Sequence, residues 1–282
     1  MSSIITEPGI YKDLPNEVYH RSAGISNSGI GLLIPPNCPA LYHYQYLSGE
    51  YERKENKAFD IGSAVHTLVL EPEKFDGQYA CITDKPPVRR GAEGQKKYDE
   101  FMSQYEGKTV LSIEDFATAK AMADAVRKHA VFKEIHGTGC VEDSIAWIDP
   151  ESGVLLRTRP DFYNSRFILD VKTTKDIRPH VFQRSVFEYG YHRQGALACD
   201  GLSAATGINY DKVILFVVGK DKPHFVRAYI LTQQALERGR AEYKLGARCY
   251  AHCMKTGIWP GYAEIIEDID LPVWAFNQEI DE

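Results

Sequence analysis

A basic–proline–acid run, Arg159-Pro160-Asp161, is followed closely by Asp170-Val171-Lys172-Thr173-Thr174. The second cluster lies in the apolar stretch Phe167-Ile168-Leu169-Asp170-Val171-Lys172, which predicts a short buried strand. Side chains alternate along a strand, so Phe167, Leu169 and Val171 share one face while Asp170 and Lys172 share the other. A carboxylate and an ammonium therefore emerge together from apolar surroundings. Charges in such a place are costly unless they are paired, hydrogen-bonded or bound to metal. A preceding strand over residues 153–159 would deliver Asp161 to the same edge. Two carboxylates and a lysine at one strand end suit a divalent cation held beside an activated water.

The elements that must position these groups are legible in outline. Residues 1–20 read as an extended, turn-rich arm, and Ser26 caps a short helix over 27–33 that Pro35-Pro36 stops. A tyrosine-rich helix over 39–47 follows, then a helix over 58–70 with Gly62 and His66 one turn apart. There the glycine would leave room for close approach beside the imidazole. A strand over 78–82 leads into a polar loop, 84–91, and Ser112-Ile113-Glu114-Asp115 opens an amphipathic helix to residue 129. The centre is β-rich: a strand over 141–148, a turn at Asp149-Pro150-Glu151-Ser152-Gly153, and a return strand over 154–159. Glu142, early on the first of these, would place an acid at the sheet edge toward the metals, with Asp143 on the opposite face. Helices over 179–188 and 191–206 cover the motif strand, strands over 213–218 and 225–231 follow, and a long helix spans 232–255. From Trp259 a proline-punctuated tail is expected to wrap the body.

The chain has 282 residues, 44% hydrophobic and 26% charged, which is ordinary globular usage and enough for a substantial core. Its net charge of −6 means that any nucleic-acid surface must be local, or that metal must neutralise the acids. No apolar run is long enough for a membrane span, and the amino terminus has no signal-like segment. A soluble, cytoplasmic protein without membrane contact is expected. The six cysteines are scattered, without a CxxC or a zinc-type pairing with histidine, and read as reduced, mostly buried thiols.

The acid after the proline and the D-x-K on the next strand resemble the PD-(D/E)XK nuclease superfamily. The fold class this implies is α/β, with a mixed central β-sheet flanked by helices in a single domain. Its nuclease core would span 58–256, between an amino-terminal arm with helices over 1–57 and a tail over 257–282. By this resemblance Asp161 and Asp170 are metal ligands, and Lys172 acts as general base or as electrostatic stabiliser. Nucleases related to RecB carry a similar glycine–histidine helix, which makes His66 a ligand for a second ion, with the Val171 carbonyl also available. They also carry glutamine and tyrosine behind the catalytic strand. Here Tyr191 and Gln194 stand at i,i+3 on one helix face and would grip a backbone phosphate. Some superfamily members hold an iron–sulfur cluster through four cysteines. Cys38, Cys249 and Cys253 match only part of that pattern, so no cluster is expected.

Across nearly the whole chain the resemblance narrows to the RecE nuclease domains of prophages. It is carried by Glu17-Val18-Tyr19-His20, Gly24-Ile25-Ser26, Pro39-Ala40-Leu41-Tyr42, Gly62-Ser63-Ala64-Val65-His66, Leu70-Glu71-Pro72-Glu73, the motifs above, and the terminal Leu271-Pro272-x-Trp274-Ala275. The resemblance implies a stand-alone Mg2+-dependent exodeoxyribonuclease of bacterial or phage origin, with Mn2+ as substitute and two ions per site. It would digest one strand of linear duplex DNA from the 5′ end and leave 3′ overhangs. The implied partners are duplex DNA ends, a RecT-like single-strand annealing protein for recombination and repair, and three further copies in a homotetrameric ring. Lys85, Arg89, Arg90, Lys96 and Lys97 would supply local positive charge for phosphates or the 5′ end. The alternatives are a RecB-like or Cas4-like nuclease of different polarity and a non-catalytic module that binds DNA ends.

Overall fold

The motif strand, Ile168–Thr174, lies third in a five-stranded mixed sheet. This is seen in a computed structural model that describes residues 4–52, 57–82 (57–60 by backbone alone), 86–137, 139–272 and 275–276. The sheet order is Val226–Ile230, Val213–Gly219, Ile168–Thr174, Phe162–Tyr163, Cys140–Val141. The motif strand runs parallel to Val213–Gly219, with Asp170 opposite Leu215 and Lys172 opposite Val217. Helices Pro179–Glu188 and Tyr191–Thr206 make the crossover that a parallel pair requires. Every residue of Val213–Gly219 is buried, as expected for a strand covered on both faces.

The period-2 pattern sorts the core into two layers. Phe167, Leu169 and Val171 pack with Ile214, Phe216 and Val218 against Ala64, Val65 and Val69 of helix Lys57–Leu70, and against Met122 and Val126 of helix Ile113–Lys128. Ile168, Val213, Leu215 and Val217 face the other way. They meet Ala196, Leu197 and Leu202 of helix Tyr191–Thr206, with Leu236 and Tyr243 of helix Gln233–Thr256 behind. Helices on both faces of the sheet give the α/β architecture expected from the sequence. Ser112 caps its helix as the motif predicts, accepting the Asp115 N–H at 3.0 Å.

Several local expectations are corrected. The stretch 141–148 is two strands: Cys140–Val141 pairs with Phe162–Tyr163 in the large sheet, while Ser144–Ile148 joins Gly9–Tyr11 and Leu155–Thr158 in a three-stranded sheet. The break falls at Glu142, whose φ of 53° turns the chain out of extended geometry. The strand before the proline therefore belongs to the small sheet. Asp161 is delivered by the crossing from Leu155–Thr158 to the short strand Phe162–Tyr163, which pairs antiparallel with the motif strand. The amino-terminal arm contains strand Gly9–Tyr11 and helix Asn16–Arg21. Sequence periodicity missed helix Gly91–Ser103, whose apolar face is confined to Tyr98, Phe101 and Met102 near its end. It also missed helix Ala130–Ile135 and strand Thr109–Ser112, the parallel partner of the expected strand, which runs over Tyr79–Ile82. Among the described residues the tail is held at its start, where Trp259 stacks on Tyr42 and the Pro260 carbonyl accepts the Ala40 N–H. Beyond that, Ile265, Ile266, Ile269 and Leu271 are exposed.

Among the described residues no helix is long and apolar enough to cross a membrane. All six cysteines are free thiols, with Cys38, Cys199 and Cys253 buried and the other three half-buried.

Candidate active site

Three chain segments converge at Asp161. Helix Lys57–Leu70 brings His66 Nδ1 to 3.1 Å from Asp161 Oδ2, and the Val171 N–H donates to the same oxygen at 2.6 Å. Glu142 is tied to the segment by its own N–H, which donates to the Asp161 carbonyl at 3.2 Å. Its left-handed backbone turns the side chain toward the same point. One ligand atom each from His66, Glu142 and Asp161 then lies within 4.8 Å of the others. Two carboxylate oxygens and an imidazole nitrogen in that space fit a divalent cation. Asp143, expected on the opposite face, accepts from the Tyr163 hydroxyl at 2.9 Å. The expected role of Gly62 does not hold. A Cβ there would sit 3.8 Å from Thr173 Oγ1, ordinary contact, so alanine would fit.

Beside this cluster stands an ion pair on the motif strand. Asp170 Oδ2 lies 2.5 Å from Lys172 Nζ. Gln194 joins both partners, accepting from Lys172 Nζ at 3.3 Å and donating from Nε2 to Asp170 Oδ1 at 3.4 Å. The Tyr191 ring lies under the ammonium, 4.7 Å away. Tyr191 and Gln194 thus share a helix face as expected, and that face is turned onto the Asp–Lys pair. Asp170 is not one of the three clustered ligands, and Val171 meets Asp161 through its amide.

Burial and mutual repulsion set the charges. Asp161 and Asp170 are 6% and 5% exposed. Burial pushes Asp170 up to about 7, with the Asp161 charge adding to it, and the Lys172 ammonium only partly offsets this. Burial likewise raises Glu142 to about 8, again with Asp161 contributing. Asp161 behaves oppositely: burial opposes its charge, but His66, Lys172 and the Val171 amide hold it down at about 2. Burial disfavours the charged imidazole of His66, yet the Asp161 carboxylate prevails and raises it to about 9. Lys172 is raised above the ordinary lysine range despite burial, because Asp170 and Asp161 favour the ammonium. Of the three acids, the one held ionised is Asp161, at the meeting point of the three segments.

Of the basic residues expected to touch DNA, the described ones lie on or just before helix Gly91–Ser103. Arg89 stacks over Tyr98 at 3.7 Å, Arg90 precedes helix Gly91–Ser103, and Lys96 faces Glu100 at 3.9 Å. None of these three hydrogen-bonds or ion-pairs with the clustered residues. Lys97 pairs with Glu93 at 2.8 Å. Lys85 and Trp274 fall outside the described residues. One cation close to the site had no role assigned from the sequence: Arg159, first residue of the Arg-Pro-Asp run. Its Nη2 donates to Ser144 Oγ at 2.7 Å and to the Leu14 carbonyl at 2.9 Å, and it lies 4.2 Å over the Tyr19 ring. Its charge favours ionisation of Glu142.

An acid after a proline, an acid and a lysine two apart on the adjoining strand, and a histidine from the covering helix define a PD-(D/E)XK-type protein. The chain belongs to the family described as "PDDEXK-like domain of unknown function (DUF3799)", whose model matches residues 32–272. Among solved structures it resembles a protein from Eubacterium rectale described as "Putative exonuclease", with a TM-score of 0.62. The two are 16% identical, and the likeness covers 94% of this chain and 97% of that one, so it supports the shared fold. No curated protein matches the chain in sequence.

Proposed function

We propose that this protein is a metal-dependent exodeoxyribonuclease that digests one strand of linear duplex DNA from its 5′ end and leaves 3′ overhangs. The observation that carries this reading is the His66–Glu142–Asp161 cluster set against the Asp170–Lys172 pair. His66, Glu142 and Asp161 would hold a divalent ion, Mg2+ with Mn2+ as substitute. Asp170 and the Val171 carbonyl would complete the ligands if two ions bind. A bound divalent cation would polarise the attacking water and relieve charge on the phosphate. Lys172 would stand over the same phosphate. Its raised proton affinity supports an electrostatic role, since an ammonium offers no free pair to take a proton. Gln194 and Tyr191 would keep that ammonium aimed. The intact acids and lysine favour an enzyme over a module that only binds DNA ends.

The 5′-to-3′ polarity, the RecT-like annealing partner and the homotetrameric ring rest on the resemblance to RecE nuclease domains. The exposed apolar side chains of Ile265, Ile266, Ile269 and Leu271 offer surface that a subunit contact would cover. The test is digestion of linear duplexes labelled at the 5′ or the 3′ end, with Mg2+ or EDTA and with a closed circular duplex as control. Early loss of the 5′ label, with the circle intact, is expected. Early loss of the 3′ label would make it a RecB-like nuclease of opposite polarity, and no cutting would leave the end-binding module.

A further inference from the structure

The first turn of helix Tyr191–Thr206 carries both Tyr191 and Gln194, the groups that touch the Asp170–Lys172 pair. That turn is tied down by a carboxylate on another helix. Glu242, on helix Gln233–Thr256, has Oε2 3.0 Å from His192 Nε2 and 3.2 Å from Arg193 Nη1. These are the two residues between Tyr191 and Gln194. Its Oε1 accepts from Arg238 Nε at 2.8 Å, one turn earlier on its own helix. The network extends further: His192 Nδ1 lies 3.1 Å from the Val186 carbonyl oxygen, and Arg193 Nε donates to Asn27 Oδ1 at 2.8 Å. Although burial opposes its charge, Arg238, His192 and Arg193 hold Glu242 below the usual carboxylate range.

Gly239 explains why Glu242 can reach so far. A Cβ at 239 would fall 2.8 Å from the Arg193 Cα and overlap the His192 carbonyl, so the two helix backbones touch there. Gly239 precedes Glu242 by three residues and lies on the same helix face. The contacts that depend on this packing are long. Gln194 meets Lys172 and Asp170 at 3.3 and 3.4 Å, so a small rotation of the turn would break both. Enclosed ion pairs contribute little net stability, because desolvation offsets their attraction. Orientation is the role the geometry leaves for this one.

We propose that Glu242 is a positioning residue, whose bonds to His192 and Arg193 hold Gln194 against Asp170 and Lys172. The catalytic meaning of this rests on the nuclease reading of that pair; the positioning itself does not. Two readouts on E242Q keep the two apart. The first is the side-chain amide signal of Gln194 in 15N–1H spectra, assigned by its loss in Q194A. It should move in E242Q, and an unmoved signal overturns the proposal whether or not the protein cuts DNA. The second is steady-state digestion of linear duplex by wild type, D170N, E242Q, Q194A and the double variant. E242Q should lose on the order of tenfold to hundredfold in kcat with KM little changed. It should cost nothing further in the Q194A background, since residues acting through one contact are not additive. Penalties that multiply, or full E242Q activity, overturn the proposal. A silent wild type, or a fully active D170N, overturns the nuclease reading instead. Should E242Q fail to fold, R193M cuts the same link from the other side and is read by the same outcomes.

Discussion

His66, Glu142, Asp161, Asp170 and Lys172 pose a charge problem: three carboxylates in nearly dry surroundings with one lysine and one histidine. Without metal the balance is kept by protons. Asp170 near 7 and Glu142 near 8 keep protons in the fold that the unfolded chain has already released, so their contribution to stability falls as pH rises. His66 near 9 gains a proton in the fold, and the stability it adds is also lost as pH rises through that value. Asp161, held near 2, works the other way only below the ordinary carboxylate range. The Tm of EDTA-treated protein should therefore fall between about pH 5 and about pH 9, set by the ordinary and shifted values of these groups. Added Mg2+ should restore more Tm at the alkaline end, because ligands bind metal deprotonated. A Tm that climbs with pH in the EDTA series would contradict this charge assignment. For activity, Asp161→Asn, Asp170→Asn and Lys172→Ala should each slow duplex digestion by about 10²-fold or more while leaving a folded protein. His66→Ala should lose Mg2+ activity with partial rescue by Mn2+; full Mg2+ activity in that variant would return the histidine to a core role.

Glu142 shows how an element boundary makes a site. A regular strand through 141–148 would have kept this side chain in the alternation of one sheet. The left-handed turn at φ 53° instead hands the chain from the large sheet to the small one and points the carboxylate at Asp161. A side chain with a Cβ pays roughly 1–2 kcal/mol in that conformation and glycine does not. Glu142→Gly should thus unfold at higher denaturant than Glu142→Ala, by roughly 1 kcal/mol, though both lose the ligand. Equal stability, compared by urea titration, would mean the turn carries no strain. The same reasoning explains what sequence reading missed. Strand backbone is real on either side of Glu142 and Asp143, and nothing local marks the two residues that leave it. Helix Gly91–Ser103 escaped for a different reason, since its apolar stripe is short, Tyr98, Phe101 and Met102 in a helix otherwise mostly polar or glycine-bearing.

At the level of the whole molecule, a net charge of −6 must be reconciled with a polyanionic substrate. If a ring keeps DNA captive, one strand should be degraded over long distances before release. Excess unlabelled DNA, added after the start, should then barely shorten the tracts. Salt should weaken loading more than continuing digestion, because loading depends on screened phosphate contacts. A monomer in light scattering, with tracts cut short by the trap, would rule out the ring.

Most of the elements after residue 140, the motif strand with its apolar and charged faces, and the helix that carries His66 were legible in the chain. Each follows from periodicity and spacing within a dozen residues, and the resemblance to PD-(D/E)XK nucleases rested on the same local pieces. Only tertiary structure decided that Glu142 joins His66 and Asp161, that Gln194 and Tyr191 turn onto the Asp170–Lys172 pair, and that Glu242 reaches back from a distant helix. It also decided which carboxylates hold protons. These are through-space facts, set by how a sheet crossing and a helix contact bring remote residues within a few ångströms in low dielectric, where proximity and burial count for more than sequence distance.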